Sequence, residues 1–173
     1  FERPADAAHH AKQVLRLRLG DAVQIFDGAG HACDASVGEI SGKHVTLHDV
    51  QPCPPRPEGG LHIVLAQAMS SSEKMDWVVQ KATELGAAEI LPVQTQRSVA
   101  KLTAERAEKR TEHWRGVIIA ACEQCGRNTL PLVQAPQELS HWLALADLQP
   151  GSKFILLPDG ATPLHSQPKP AGP

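Results

Sequence analysis

An α/β protein in two parts is the fold class this sequence predicts: a small N-terminal β-barrel followed by a mainly parallel α/β domain. Three observations carry the prediction. Short β-like segments separated by glycine-bearing turns follow one another from Ala22 to Val50. Four prolines and two glycines crowd residues 51–60, a composition unsuited to a helix or a sheet interior. From Leu61 onward, apolar strand-like runs alternate strictly with helical patterns, the signature of a parallel sheet covered by helices. The expected division is therefore 1–50, a linker at 51–60, and 61–173.

Composition bounds the function classes. With 42% hydrophobic and 21% charged residues the chain reads as an ordinary folded soluble protein, and no stretch approaches a membrane span. A formal net charge of −2 gives no global pull toward nucleic acid, so any basic contact surface has to be local. The lack of Tyr and an aromatic content of 3% argue against an aromatic stacking platform for single strands. Cys33, Cys53, Cys122 and Cys125 do not suit a disulfide scaffold in a chain this long, and no signal-like segment opens it, which makes the reducing cytoplasm the default location. The chain begins with Phe1 and closes in a Pro-rich tail, so trimming at either end is expected.

Taken in order, residues 4–19 place Ala8, Ala11, Val14 and Leu15 on one helical face and His9, Lys12 and Arg16 on the other. Lys12, Arg16 and Arg18 form the candidate contact stripe of the barrel; the competing reading is a solvated helix face. Strands are expected at 22–26, 31–37 and 44–50, the first two joined as a hairpin through Asp27-Gly28-Ala29-Gly30. A small barrel of this kind often binds RNA or another protein. Up to Gly60 there are six Lys or Arg against eight Asp or Glu, which argues against a strong electrostatic footprint.

After the linker, 61–68 reads as a largely buried strand and 73–85 as a helix. Ser70 and Glu73 have capping-box spacing, and Met75, Val78, Val79, Ala82 and Leu85 recur on one face. Gly86 supplies the left-handed stop. Strand, loop and helix N-terminus meet near Ser70 to Ser72, the kind of corner where open α/β sheets bind ligands, although an ordinary turn reads equally well. Strand 88–94 leads into a polar loop in which Arg97 and Lys101 are candidate phosphate contacts or plain surface charges. Helix 103–125 carries a stripe of Trp114, Val117, Ile118, Ala121 and Cys125. Strand 130–134, helix 137–147 and strand 153–158 complete the alternation.

The motifs narrow the chemistry. No Gly-x-Gly-x-x-Gly turn or Walker loop follows the first strand of the second domain, which disfavours a dinucleotide enzyme. Cys122-x-x-Cys125 has no second ligand pair at usable spacing for zinc. Its place at the C-terminal end of a helix would raise a thiol pKa rather than lower it, so packing cysteines fit better than a redox pair. At about 100° per residue, Glu123 falls opposite the apolar stripe while Gln124 flanks it.

Val14-Leu-Arg16, Phe26-Asp-Gly28, Met75-Asp-Trp-Val-Val-Gln-Lys-Ala-Thr-Glu-Leu-Gly86, Arg97-Ser98 and Ala120-Ala-Cys-Glu-Gln-Cys-Gly-Arg127, in this order and spacing, resemble the RsmE family of bacterial 16S ribosomal RNA uridine-N3 methyltransferases. The resemblance covers nearly the whole chain. It implies an N-terminal PUA-like barrel and a SPOUT-type α/β domain with a C-terminal trefoil knot. It further implies a cytoplasmic homodimer that uses S-adenosylmethionine on 16S ribosomal RNA in the 30S subunit, with no metal and no membrane partner.

The family's reaction moves a methyl group from a sulfonium to a ring nitrogen, so charge builds on the uridine oxygens, where a guanidinium stabilises it. By this resemblance Arg127 is the candidate for an active-site or RNA-positioning role, with Glu123 and Gln124 orienting it. Leu156, Leu157 and Pro158 match the place where the family begins to wrap the cofactor. Three departures are visible: a further barrel strand is missing before Phe1, Ser71 stands where many relatives carry a basic residue, and the sequence stops at Pro173, before the family's Gly-Pro-Glu-Gly-Gly loop. Residues 1–173 alone are therefore expected to be inactive and to bind the cofactor weakly or not at all. The rival reading from another class is a non-catalytic RNA-binding or ribosome-assembly module.

Overall fold

The computed structural model describes residues 16–41, 44–54, 56–96, 103–157, 159 and 162–168. Contacts divide the chain into two units, Phe1–Pro57 with Cys122–Leu130, and Glu58–Ala121 with Pro131–Pro173.

The first unit is built on a three-stranded antiparallel sheet in the order β1-β2-β3, with β1 at Ala22–Phe26, β2 at Ala32–Ile40 and β3 at Val45–Pro52. Alternation along β2 and β3 turns Ala35, Val37, Val45 and Leu47 into a small core, against which Leu17, Val23, Ile25 and Ile40 pack. The pairing of β2 with β3 shifts register twice, once by an extra residue in β3 and once by an extra residue in β2, and a Cβ on Gly38 would lie 2.5 Å from the His48 ring. β3 runs two residues further than expected, Pro52 pairing with Cys33. Pro52 is tolerated because, among the described residues, β3 pairs with β2 alone, which leaves its other side without a ladder partner. Lys12 and the rest of the expected first helix up to Leu15 lie outside the described residues. Arg16 to Arg18, placed in that helix by the sequence, have no helical structure, and Arg16 has a φ of 53°.

The second unit carries a parallel sheet. β4 (Val64–Ala68) and β5 (Glu89–Gln94) pair in register Val64↔Glu89 to Ala68↔Val93. On its other side β5 pairs first with β6 (Leu132–Val133) and then with β7 (Gln137–Glu138). The break between them faces Pro92, which has no N–H to give to a ladder: β6 ends opposite Ile90 and β7 resumes opposite Val93. Ile90, Leu91, Pro92 and Val93 are all buried, which makes β5 the centre of the unit.

Between β4 and β5 runs α1, Ser72–Glu84. It buries Met75, Val79, Ala82 and Thr83, the last satisfied by donating its hydroxyl to the Val79 carbonyl at 2.8 Å. Its stop is a Schellman arrangement: Gly86 has a φ of +91°, Gly86 N–H donates to Thr83 and Ala87 N–H to Ala82. Three expectations fail here. The N-cap is Ser71, not Ser70, and makes no side-chain cap bond; counted from Ser71, Glu73 stands one position too early for a capping box. Leu85 is 82% exposed, since it sits at the C-cap, where the chain has left the buried face. The strand before the helix starts at Val64 and is only half-buried, because among the described residues β4 pairs on one side alone, with β5.

α2 spans Ala104–Cys125. Thr111, Trp114, Ile118, Ala121 and Cys122 are its buried positions, while Cys125, expected on the stripe, is exposed. α3 is shorter than expected, at Leu139–Ala146, because β7 takes residues 137 and 138. Of the expected strand 153–158, residues 153–157 form no strand: 152–157 have no regular structure, and none of the described strands pairs with them. An apolar run specifies a strand only where a neighbour supplies its hydrogen bonds.

Candidate functional site

The chain leaves α2 through Gly126, whose φ of +77° redirects the backbone and whose N–H donates to the Cys122 carbonyl at 2.8 Å. Arg56, from the Pro-rich segment, donates Nη1 to the Gly126 carbonyl at 2.9 Å. Glu123 and Gln124 are exposed on the last helical turn, Arg127 is half-buried, and Asn128 is buried with its carboxamide nitrogen unpartnered. Both Glu123 and Arg127 have interaction partners in the structure. The sequence candidates 123, 124 and 127 are thus clustered by local chain geometry.

Residues that sequence reasoning left out of the site fix the segment just after Arg127. Gly30 N–H donates to the Asn128 carbonyl at 3.1 Å, and Leu130 N–H donates to the Gly28 carbonyl at 2.9 Å. Thr129 forms bridges with Gly28 and Ala29 between these two bonds. The hairpin loop is itself organised by Asp27, whose Oδ1 accepts from the N–H groups of Ala29 (2.7 Å) and His31 (3.1 Å), while Oδ2 lies 2.8 Å from His31 Nδ1. The Ala29 backbone bond, followed by the His31 side chain, holds the Asp27 carboxyl below its ordinary range. Asp27-Gly28-Ala29-Gly30 was legible as a hairpin turn; its second role depends on a segment far along the chain and leaves no local trace.

Elsewhere in the same unit, Cys53 has its thiol pKa pushed up by loss of solvation and by the neighbouring Asp34, which does not suit a nucleophile. A shallow depression lined by Leu19, Gly20, Ser36, Val37, Gly38, Glu39, His48 and Asp49 carries two carboxylates, the wrong sign for phosphate. Arg16 and Arg18 are exposed in this unit. The other RNA candidates, Lys12, Arg97 and Lys101, lie outside the described residues, as does Pro158. Leu156 and Leu157 are exposed, at 84% and 58%. At the corner between β4 and α1, Arg110 reaches the Ser72 hydroxyl at 3.4 Å. Among the described residues no group of three or more His, Cys, Asp or Glu is arranged to hold a metal ion, and no helix is long and apolar enough to cross a membrane.

Two family models match the chain: an RNA methyltransferase PUA domain over residues 4–50 and an RNA methyltransferase domain over residues 57–171. Ribosomal RNA small subunit methyltransferase E of Buchnera aphidicola is 30% identical over 134 residues, covering 78% of this chain and 53% of that protein. The Bacillus subtilis protein of the same name is 29% identical over 133 residues, 77% of this chain and 52% of the relative. The chain therefore spans about half the length of these curated relatives. Among solved structures, a ribosomal RNA small subunit methyltransferase E from Neisseria gonorrhoeae bound to S-adenosyl methionine superposes with a TM-score of 0.86 at 32% identity, covering 99% of this chain and 70% of that one. A putative methyltransferase from Legionella pneumophila, also in complex with that cofactor, gives a TM-score of 0.85 at 34% identity over 97% of this chain and 69% of the other.

Proposed function

We propose, because the chain belongs to the RsmE family of ribosomal RNA small subunit methyltransferases, that the protein containing it methylates N3 of a uridine in 16S ribosomal RNA, using S-adenosylmethionine. The observation that carries the reading is the superposition over 99% of the chain, at 32% identity, on a relative that binds this cofactor. The division of labour is that of the family: residues 1–50 engage RNA, 51–60 connect, and 61–173 belong to the methyl-transferring domain. A cytoplasmic homodimer acting on the 30S subunit, with no metal and no membrane partner, is part of the same proposal.

S-adenosylmethionine supplies an activated methyl group on a sulfonium; the described residues supply the setting. Leu156 and Leu157 offer exposed apolar surface, a fit for the uncharged parts of that cofactor, and with Pro158 they are its proposed contacts. Lys12, Arg16, Arg18, Arg97 and Lys101 are the proposed phosphate contacts, each a sequence-independent anchor for the RNA. Arg127 is proposed to stabilise the charge that grows on the uridine oxygens as the ring nitrogen loses its proton. A guanidinium offers a forked pair of donors there, which an ammonium does not copy. Glu123 and Gln124, one helical turn earlier, orient it.

The test uses the protein expressed from its native reading frame, 30S particles and labelled S-adenosylmethionine, with 3-methyluridine measured by nucleoside mass spectrometry. Methylation at a uridine N3 is expected. Label at another atom, or none, refutes the reading. Arg127→Ala and Arg127→Lys are both expected to lose most turnover while melting within a few degrees of the parent; parental turnover in Arg127→Lys assigns the residue a structural part instead.

A further inference from the structure

The backbone on either side of Arg127 is held at two points. Before it, the Gly126 carbonyl accepts from Arg56 at 2.9 Å. After it, the Asn128 carbonyl accepts from Gly30 at 3.1 Å, and the chain is tied again where Leu130 donates to Gly28 at 2.9 Å. Only the peptide joining Arg127 to Asn128 lies between the two holding points. The donor Gly30 N–H and the acceptor Gly28 carbonyl are both presented by one hairpin loop, and that loop is shaped by Asp27, which takes up the intervening Ala29 N–H and the His31 N–H. Close approach is built in: Gly28 has a φ of +80°, and a Cβ on it would lie 2.8 Å from the Leu130 side chain. All of these contacts lie within one unit, Phe1–Pro57 with Cys122–Leu130.

We infer that Asp27 is a positioning residue for methyl transfer: through the 27–31 hairpin loop it fixes residues 128–130 and so the direction in which Arg127 projects. The inference rests on the proposed role of Arg127. Its proposed part is exercised through the loop, by the bonds it accepts from Ala29 and His31. A loop that merely capped the small domain would need its own internal bonds; it would not need to commit the Gly30 N–H and the Gly28 carbonyl to the residues just after Arg127.

The experiment compares Asp27→Ala, Asp27→Asn and Arg127→Lys in the protein expressed from its native reading frame. Amide hydrogen exchange at Gly30 and Leu130 reports the loop contacts directly, and turnover with 30S particles and S-adenosylmethionine reports their consequence. Asp27→Ala is expected to speed exchange at both amides and to lower kcat by roughly 10- to 100-fold, the scale of a misplaced catalytic group, with KM for the cofactor little changed. Asp27→Asn keeps an oxygen facing the Ala29 and His31 amides, and is expected to restore both protection and most of the turnover. Unchanged exchange in Asp27→Ala overturns the claim that Asp27 holds the segment. Loosened amides with parental kcat overturn the claim that holding it matters. If Arg127→Lys turns over like the parent, the role of Arg127 fails and the catalytic consequence with it; if Arg127→Lys is inactive while Asp27→Ala is parental, only the inference about Asp27 fails.

Discussion

Asp76 joins the two long helices of the parallel unit, and its removal gives a stability effect whose size can be worked out from the contacts. Its Oδ1 accepts from the indole N–H of Trp114 at 3.2 Å, and its Oδ2 lies 2.9 Å from His113 Nε2. Trp114 is 1% exposed, so Asp76→Ala strands a buried donor, a loss of about 1–3 kcal/mol. The His113 contact is more than half exposed on the histidine side and adds about 0–1 kcal/mol. Asp76→Asn preserves an oxygen for the indole and is expected to cost under about 1 kcal/mol. Urea unfolding of the four proteins in a cycle of Asp76→Ala and Trp114→Phe isolates the term, because phenylalanine has no donor to strand. In the Trp114→Phe background, Asp76→Ala is expected to cost only the exposed histidine contact. An equal cost in both backgrounds would refute the reasoning and place the stabilisation in packing or in His113. In thermal unfolding, each kcal/mol corresponds to a drop of roughly 4–8 °C for a domain of this size.

Three further outcomes are expected. Met75→Ala, at a fully buried position on α1, should destabilise the parallel unit by about 2–5 kcal/mol in urea titration, since the side chain leaves a cavity. Gly126→Ala should cost about 1–2 kcal/mol for the left-handed backbone, and should also release Arg56, whose Nη1 lies 2.5 Å from where the new methyl group would sit; loss of the Arg56 contact is checked by crystallography of the variant. The third concerns pH. The Asp27 carboxyl titrates below its ordinary value of about 3.9, so the stability it provides is complete above that value and disappears as pH falls through the lowered one. Exchange protection at Gly30 and Leu130 should therefore stay flat from pH 8 to 5 apart from the intrinsic rate, weaken under stronger acid, and lose this acid sensitivity in Asp27→Asn.

The part of the fold legible in the sequence was the part decided by near neighbours. Met75, Val79 and Ala82 mark the buried face of α1 by spacing alone, and Gly86 marks its end, because both signals act within a turn or two. The N-cap was misplaced by one residue because Ser70, unlike Ser71 and Ser72, has a Glu three residues on, and the path from β4 overrides that local signal. Leu85 shows the limit of periodicity: its apolar character fits the face, but the Schellman turn carries it out to solvent. Phe154 to Leu157 look like a strand on composition, yet pairing is a property of the neighbour and not of the run. At the site, Glu123, Gln124 and Arg127 were found as a cluster since one helix end gathers them. Arg56, Gly28 and Gly30 were not, since their contacts with 126–130 join segments far apart in sequence.

Those long-range contacts bear on how the molecule is divided. The family models part the chain between residues 50 and 57, following the order of residues along it. Contacts part it differently, assigning Cys122–Leu130 to the unit that contains the antiparallel sheet. The two divisions differ because one records continuity of the chain and the other records which atoms hold which. For residues 126–130 the second is the relevant one for position: their carbonyls and amides are bonded to Arg56, Gly28 and Gly30, all of which precede residue 58. A segment that belongs to the methyltransferase domain by sequence thus takes its backbone coordinates from the small N-terminal domain. On the proposed function, substitutions in the hairpin loop of that domain are accordingly expected to act on turnover, and parental turnover in Asp27→Ala would refute this.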